Sequence, residues 1–188
     1  MIAIAERIEM MTRNVIAGCL HYDLWAAHIR QEGWDRSELY RETMPDLWSV
    51  TSLAHRYAFY NRFGAAYVQS KGNNTLPRLV REVAETGMGD LTAGRAALAE
   101  AEPIFEKIRH LRNNIYAHQS AKLRVAQVYA EAEFTLDEAA KVSTLSVDVV
   151  NGLRDAVGLD AVEPSRSHLD QFEAMLIALD AFDPGLIS

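Results

Sequence analysis

The sequence predicts an all-α fold: a helical bundle of about six or seven helices forming a single domain over residues 1–188. Three observations predict it. Apolar residues recur at three- and four-residue steps along nearly the whole chain, and no segment alternates apolar and polar residues as a half-buried strand does. Only 10 Gly and 5 Pro interrupt 188 residues, which leaves room for long elements. At 49% hydrophobic and 24% charged, the composition is that of an ordinary globular domain, and amphipathic helices packed on one core are its economical solution.

Ile4, Ile8, Met11, Val15, Cys19 (or Gly18), Tyr22, Trp25 and Ile29 form one stripe on a long first helix that should stop near Gly33. A polar connection, Asp35 to Thr43, leads to Pro45 and Asp46, both suited to a first helical turn. Leu47, Val50, Leu53, Tyr57, Tyr60 and Gly64 read as the inward stripe of the second helix. Lys71-Gly72-Asn73-Asn74 is a turn. Thr75 can cap a short helix through Leu76, Leu79, Val80 and Val83 that ends at Gly87. The helix that starts after Asp90 must kink, or break and restart, at Pro103.

From Pro103 the stripe Ile104, Ile108, Leu111, Ile115 continues to about His118, and a further segment carries Leu123, Val125, Val128 and Tyr129. Thr135-Leu136-Asp137-Glu138 fits a capping box, and its helical stretch, with an interruption expected near Ser143 to Ser146, ends at Gly158. Pro164 and Ser165 introduce the last helix, with Leu169, Phe172, Leu176 and Leu179 inward.

Charge and cysteine usage narrow the function classes. With 26 acidic against 19 basic residues the formal charge is −7, so any contact with nucleic acid must come from a local basic patch. Cys19 is the only cysteine, which excludes an intrachain disulfide and a thiolate metal cluster and suits a reducing compartment. The start Met1-Ile2-Ala3-Ile4-Ala5-Glu6-Arg7 lacks the form of a signal peptide, and no uncharged apolar run approaches the ~18 residues of a membrane span. A cytoplasmic protein without membrane contact is expected.

The segment Lys107-Ile108-Arg109-His110-Leu111-Arg112-Asn113-Asn114-Ile115-Tyr116-Ala117-His118-Gln119-Ser120 stands apart. No acidic residue occurs between Glu106 and Glu131, while Lys107, Arg109, Arg112, Lys122 and Arg124 fall there with His110 and His118. In an acidic chain that concentrates positive potential where a phosphate could bind. At ~100° per residue, Arg112 and His118 sit ~120° apart around an α-helix. Either the helix distorts at Asn113-Asn114, two poor helix formers, or a second copy of the chain supplies part of the site.

These residue types suit RNA cleavage by its own 2′-hydroxyl. A histidine titrating near neutrality can take the 2′-proton or protonate the leaving 5′-oxygen. An arginine holds phosphate oxygens as charge builds in the transition state, and Asn113 could orient either group. No metal or other cofactor is needed, and the products would be a 2′,3′-cyclic phosphate and a 5′-hydroxyl. Lys107, Arg109, Lys122 and Arg124 are the candidate RNA-binding residues.

Arg112-Asn113-x-x-x-x-His118 resembles the Arg-x(4–6)-His signature of HEPN domains. The wording Ile108-x-x-Leu111-Arg112-Asn113-Asn114-Ile115-Tyr116-Ala117-His118 is most similar to the abortive-infection AbiU-like branch. The resemblance takes in an upstream helix of the type Leu47 to Phe63. It implies a helical bundle that dimerises with two motifs facing one another, metal-independent endoribonuclease activity, and often a toxin role with a cognate antitoxin as partner. It carries Arg112 and His118 over as catalytic, with Asn113 as the accompanying polar residue. Family toxins often have Tyr two residues after the His, where AMP is attached; this chain has Ser120, so the resemblance does not imply that modification here.

Other readings account for single residues. His118 also suits a buried histidine capping a helix end, and Arg112 a solvated flank. A catalytically silent module binding a nucleotide or a protein would keep the same fold. His21 and His28, seven apart on the first helix, and His55 on the second could hold a metal in a helical-bundle hydrolase, although no HExxH, ExxH or paired carboxylates accompany them. Arg56, Arg62, Lys71, Arg78 and Arg81 read as a scattered solvated face.

Overall fold

The computed structural model describes residues 3–30, 42, 44–68, 73–117, 125–165 and 167–180. The regular structure among these residues is entirely helical: α1 (Ile4–Arg30), α2 (Pro45–Tyr67), α3 (Leu76–Thr86), α4 (Thr92–Leu111), a π-helical segment (Arg112–Ala117), α5 (Val125–Ala132), α6 (Leu136–Ala156) and α7 (Ser167–Asp180). The fold is an all-α bundle. No helix among the described residues is long and apolar enough to cross a membrane.

α1 is the spine. It packs against α2 on one side and α6 on the other, and α4 closes the layer by packing along α6. Its stripe Ile8, Met11, Val15, Cys19, Tyr22 and Trp25 is buried as the three–four spacing predicts. At its end the stripe turns: Ile29 is exposed, and Ala26 and His28 are buried instead. α4 and α6 approach closely because both contribute glycine: a Cβ on Gly152 would stand 3.2 Å from the Cα of Gly94.

Local chemistry explains most boundaries. Pro45 and Asp46 open α2, and Gly87 closes α3 with φ at 71°. The Asp90 carboxylate accepts from the Thr92 amide at 2.8 Å, fixing the start of α4. Thr135 and Glu138 make the predicted capping box at α6, with both reciprocal bonds formed. Thr75 sits at the N-cap of α3, but its hydroxyl makes no cap bond there and is buried without a hydrogen-bond partner.

Three expectations are corrected. α4 does not break and restart at Pro103 but runs through it as one helix, because Pro103 lies on the exposed side, where water can serve the carbonyl its missing N–H leaves behind. α6 runs unbroken through Ser143 and Ser146, whose hydroxyls are buried but satisfied by the carbonyls of Ala139 and Val142. The third concerns α2. Leu47, Val50, Leu53 and Tyr57 face outward, at 50, 63, 49 and 45% exposure, while Trp48 and then Phe59, Tyr60, Phe63, Ala66 and Tyr67 are buried. The first half of α2 carries apolar residues on two faces, so the period alone could not choose between them. Trp48 is drawn inward by Phe172 of α7, with Leu24 and Met44 beside them.

The expected stop near Gly33, the connection Asp35 to Thr43, Lys71, Gly72, Leu123 and the side chains of Leu176 and Leu179 lie outside what the structure describes.

Candidate active site

The candidate site forms where α4 changes register. Ile104, Ile108 and Leu111 keep α-helical spacing and are buried; from Arg112 the chain winds as a π-helix through Ala117. The distorted stretch includes Asn113-Asn114, the first of the two alternatives that the sequence leaves open. The Asn114 side-chain amide donates to the His110 carbonyl at 2.9 Å, the carbonyl that an α-helical Asn114 N–H would take. Each residue of the wider turn advances by less than the ~100° of an α-helix, so the motif leaves the line of the core stripe. Ile115 is accordingly only partly buried against the core.

Arg112 does not project into solvent. Its side chain crosses α2 at Gly64, where a Cβ would stand 2.6 Å from Arg112 Cδ and 3.1 Å from Nε. The residue is half-buried, its Nε–H has no hydrogen-bond partner, and among the described residues it forms no ion pair. Asn113 beside it is exposed. His118, Lys122 and Arg124 lie outside the described residues.

The acid-free window in the sequence is not acid-free in space. Lys107 Nζ reaches Glu138 Oε1 at 2.7 Å and also donates to the Glu133 carbonyl. Arg109 pairs with Glu106, and His110 Nε2 lies 3.6 Å from Glu131 Oε2. Helix α5 and the start of α6 fold back over the basic stretch and bring their own carboxylates. Lys107 and Arg109 are therefore occupied cations, whereas Arg112 has no carboxylate partner among the described residues. The sequence reading missed Gly64 as part of this arrangement; it counted that glycine only as a member of the α2 stripe.

The three histidines of the metal reading do come together. His21 Nδ1 and His55 Nδ1 are 3.1 Å apart, and the rings of His28 and His55 are 5.9 Å apart at their centroids. Burial, then the neighbouring His21 and His28, pushes the His55 imidazole down to about 4; burial also lowers His21, with Arg62 adding to the effect. His28 donates from Nδ1 to the Leu24 carbonyl at 2.5 Å and stacks between Trp48 and Phe172. The cluster is neutral packing between α1 and α2, and among the described residues no group of three or more His, Cys, Asp or Glu is arranged to hold a metal.

A cleft of 680 Å³ between α1, α6 and the approach to α7 is lined by Cys19, Asp23, Ser143, Asp148, Glu163 and other small or apolar side chains. Among the described residues that line it there are three carboxylates and no basic side chain, so a phosphate chain would be repelled there.

Residues 4–174 match the model of the HEPN AbiU2 family, a HEPN domain group associated with abortive infection. The chain belongs to the HEPN AbiU2 family. The match runs from α1 into α7, wider than the middle of the chain on which the resemblance was read, and it contains the whole Arg112–His118 motif. No curated protein and no solved structure matches this AbiU2 chain.

Proposed function

We propose that the protein is a metal-independent endoribonuclease, a toxin or phage-defence effector, acting through Arg112, Asn113 and His118. One observation carries this reading: Arg112 presents a half-buried guanidinium with an unpartnered Nε–H and, among the described residues, no carboxylate, laid across Gly64 of α2. A cation held this way is prepared for an anion arriving from outside, and a phosphodiester offers two oxygens in the geometry a guanidinium prefers.

In the proposed reaction the RNA 2′-oxygen attacks the adjacent phosphorus. His118 removes the 2′-proton, and an imidazolium protonates the departing 5′-oxygen. Arg112 binds the non-bridging oxygens as their charge grows, and Asn113 orients the phosphate. Two copies of the motif, facing one another in a homodimer, would supply the acid and the base from two His118 side chains. The apolar Leu47, Val50 and Leu53 on the outer face of α2, about half exposed or more, support such pairing. Lys122 and Arg124 complete the proposed RNA contact; Lys107 and Arg109 would join it only by leaving their glutamates. A cognate antitoxin is the proposed protein partner.

The test is RNA cleavage by purified protein in EDTA, comparing wild type with His118→Ala and Arg112→Ala. Cyclic-phosphate products from wild type and a loss of about 10²–10⁴ in rate for His118→Ala are expected. Intact RNA with all three proteins would overturn the ribonuclease reading in favour of a silent binding module.

A further inference from the structure

Five arginines among the described residues are buried or half-buried: Arg7, Arg56, Arg78, Arg112 and Arg154. Three of them hold carboxylates. Arg7 and Arg78 share Glu82, and Arg154 holds Glu9. Arg112 and Arg56 form no ion pair among the described residues, and each has a buried Nε–H without a hydrogen-bond partner. Leaving a buried charged donor unmet is costly, and such a group calls for an explanation. The proposed reaction supplies one for Arg112 and none for Arg56.

Arg56 is held in a definite position. Its guanidinium carbon lies 5.2 Å from the centroid of the Tyr129 ring on α5. A cation placed over an aromatic ring is held there by the ring's electrostatics without using up its N–H donors. Arg56, Tyr60 and Gly64 follow at four-residue steps, so they make one ridge of α2, advancing ~6 Å per step. Along that ridge Gly64 receives the Arg112 side chain, Tyr60 meets Phe134 edge-on, and Arg56 meets Tyr129. The two anion-free guanidiniums thus belong to one side of α2, their supports ~12 Å apart along the axis.

We propose that Arg56, set over Tyr129, is a second phosphate-binding residue, and that the substrate is an RNA strand placing one phosphate at Arg112 and another, further along the strand, at Arg56. The identity of that strand rests on the ribonuclease reading; the existence of an anion subsite at Arg56 does not. A dinucleoside monophosphate has no phosphate for Arg56, so the protein acts within strands rather than on the smallest substrate.

The experiment is binding, measured apart from cutting. A fluorescein-labelled, single-stranded 2′-O-methyl hexanucleotide cannot be cleaved, because its nucleophile is blocked. Its anisotropy is followed with the full chain as wild type, Arg56→Met and Arg56→Gln, from 50 to 200 mM salt. Both variants should bind about tenfold more weakly, with the log–log salt slope reduced by about 0.7 in magnitude, the loss of one phosphate contact on a single strand. Unchanged affinity and slope in both variants, or no binding by wild type, would overturn the proposal. A ligand-side measurement covers the case in which the variants do not fold: wild type should bind the hexanucleotide more tightly, and with a steeper slope, than a 2′-O-methyl dinucleotide with one phosphate. Equal slopes would sink the idea. Arg56-dependent binding by a protein that cuts no RNA keeps the subsite and removes the ribonuclease reading; cleavage with Arg56-independent binding does the reverse.

Discussion

Arg112 occupies the space that a side chain on Gly64 would need: a Cβ there would lie 2.6 Å from Arg112 Cδ. The catalytic candidate, carried on a distorted π-helical turn, is thereby rested on a long and regular helix. Gly64 is buried in α2 and has an ordinary place in the helix, so its value lies in the room it leaves rather than in its backbone freedom.

Gly64→Ala should separate site from fold. Alanine in a helix interior gains up to ~1 kcal/mol over glycine in propensity, and the atom it meets belongs to a long side chain that can move away. Melting temperature should therefore stay within a few degrees of wild type, while the displaced guanidinium costs RNA cleavage at least ~10-fold. Thermal unfolding and cleavage are measured on the same preparation. A variant that keeps full activity would mean that the position of Arg112 on α2 is irrelevant to the reaction.

Glu138 links capping to charge. One oxygen accepts from the Thr135 amide at 3.0 Å and the other pairs with Lys107 at 2.7 Å. Thr135→Ala removes the hydroxyl that accepts from the Glu138 amide and should cost ~1 kcal/mol, seen in urea unfolding, with RNA affinity unchanged. Glu138→Gln releases Lys107 from a carboxylate. If Lys107 contacts RNA, affinity for a 2′-O-methyl strand should rise a few-fold; an unaltered affinity assigns Lys107 to the fold alone.

The His21–His55 contact gives stability a direction with pH. The folded-state His55 imidazole lies near 4, below its ordinary 6.5, and His21 is lowered in the same direction. Over that interval the unfolded chain binds protons that the folded chain does not, so stability rises with pH there. Stability from these groups should be fully present above pH 6.5, fall as the pH drops toward 4, and change no further below that. Urea midpoints at pH 7, 5.5 and 4.5 measure it. Replacing His55 by Asn should flatten the profile between 6.5 and 4.5, and an unchanged slope would mean that His55 does not titrate abnormally.

Which parts were legible follows from where the information lies. The capping box at Thr135 and the close of α3 at Gly87 are written in local chemistry and appear where the residues put them; the distortion at Asn113-Asn114 is one of two alternatives that local chemistry leaves open. The face of α2 is not local: Leu47, Val50 and Leu53 compete with Trp48, and only the position of Phe172, far along the chain, decides between them. The electrostatics of the motif were hidden for the same reason. A gap in acidic residues along the sequence says nothing of Glu131, Glu133 and Glu138, which return to Lys107 and His110 through the fold of α5 and α6. Arg112 stands out by family pattern, but that neither it nor Arg56 pairs with a carboxylate among the described residues is visible only beside the paired Arg7, Arg78 and Arg154.

The exposed face of α2 bears on the proposed dimer. Val50 is 63% exposed, with Leu47 and Leu53 beside it at 50 and 49%, an apolar face that the proposed dimer would cover. Val50→Glu removes no core contact, so the monomer's stability should change by no more than ~0.5 kcal/mol. A glutamate buried without a partner at a two-fold interface would instead meet its own copy, and both charges would oppose association. Light scattering should then give the wild type at twice the 21.0 kDa chain mass and the variant at the chain mass. Cleavage should fall with the dimer fraction and recover at high protein concentration, because the acid and the base of one site are assigned to two copies. A variant that is monomeric and fully active would remove the need for a composite site and require Arg112 and His118 of one chain to act together.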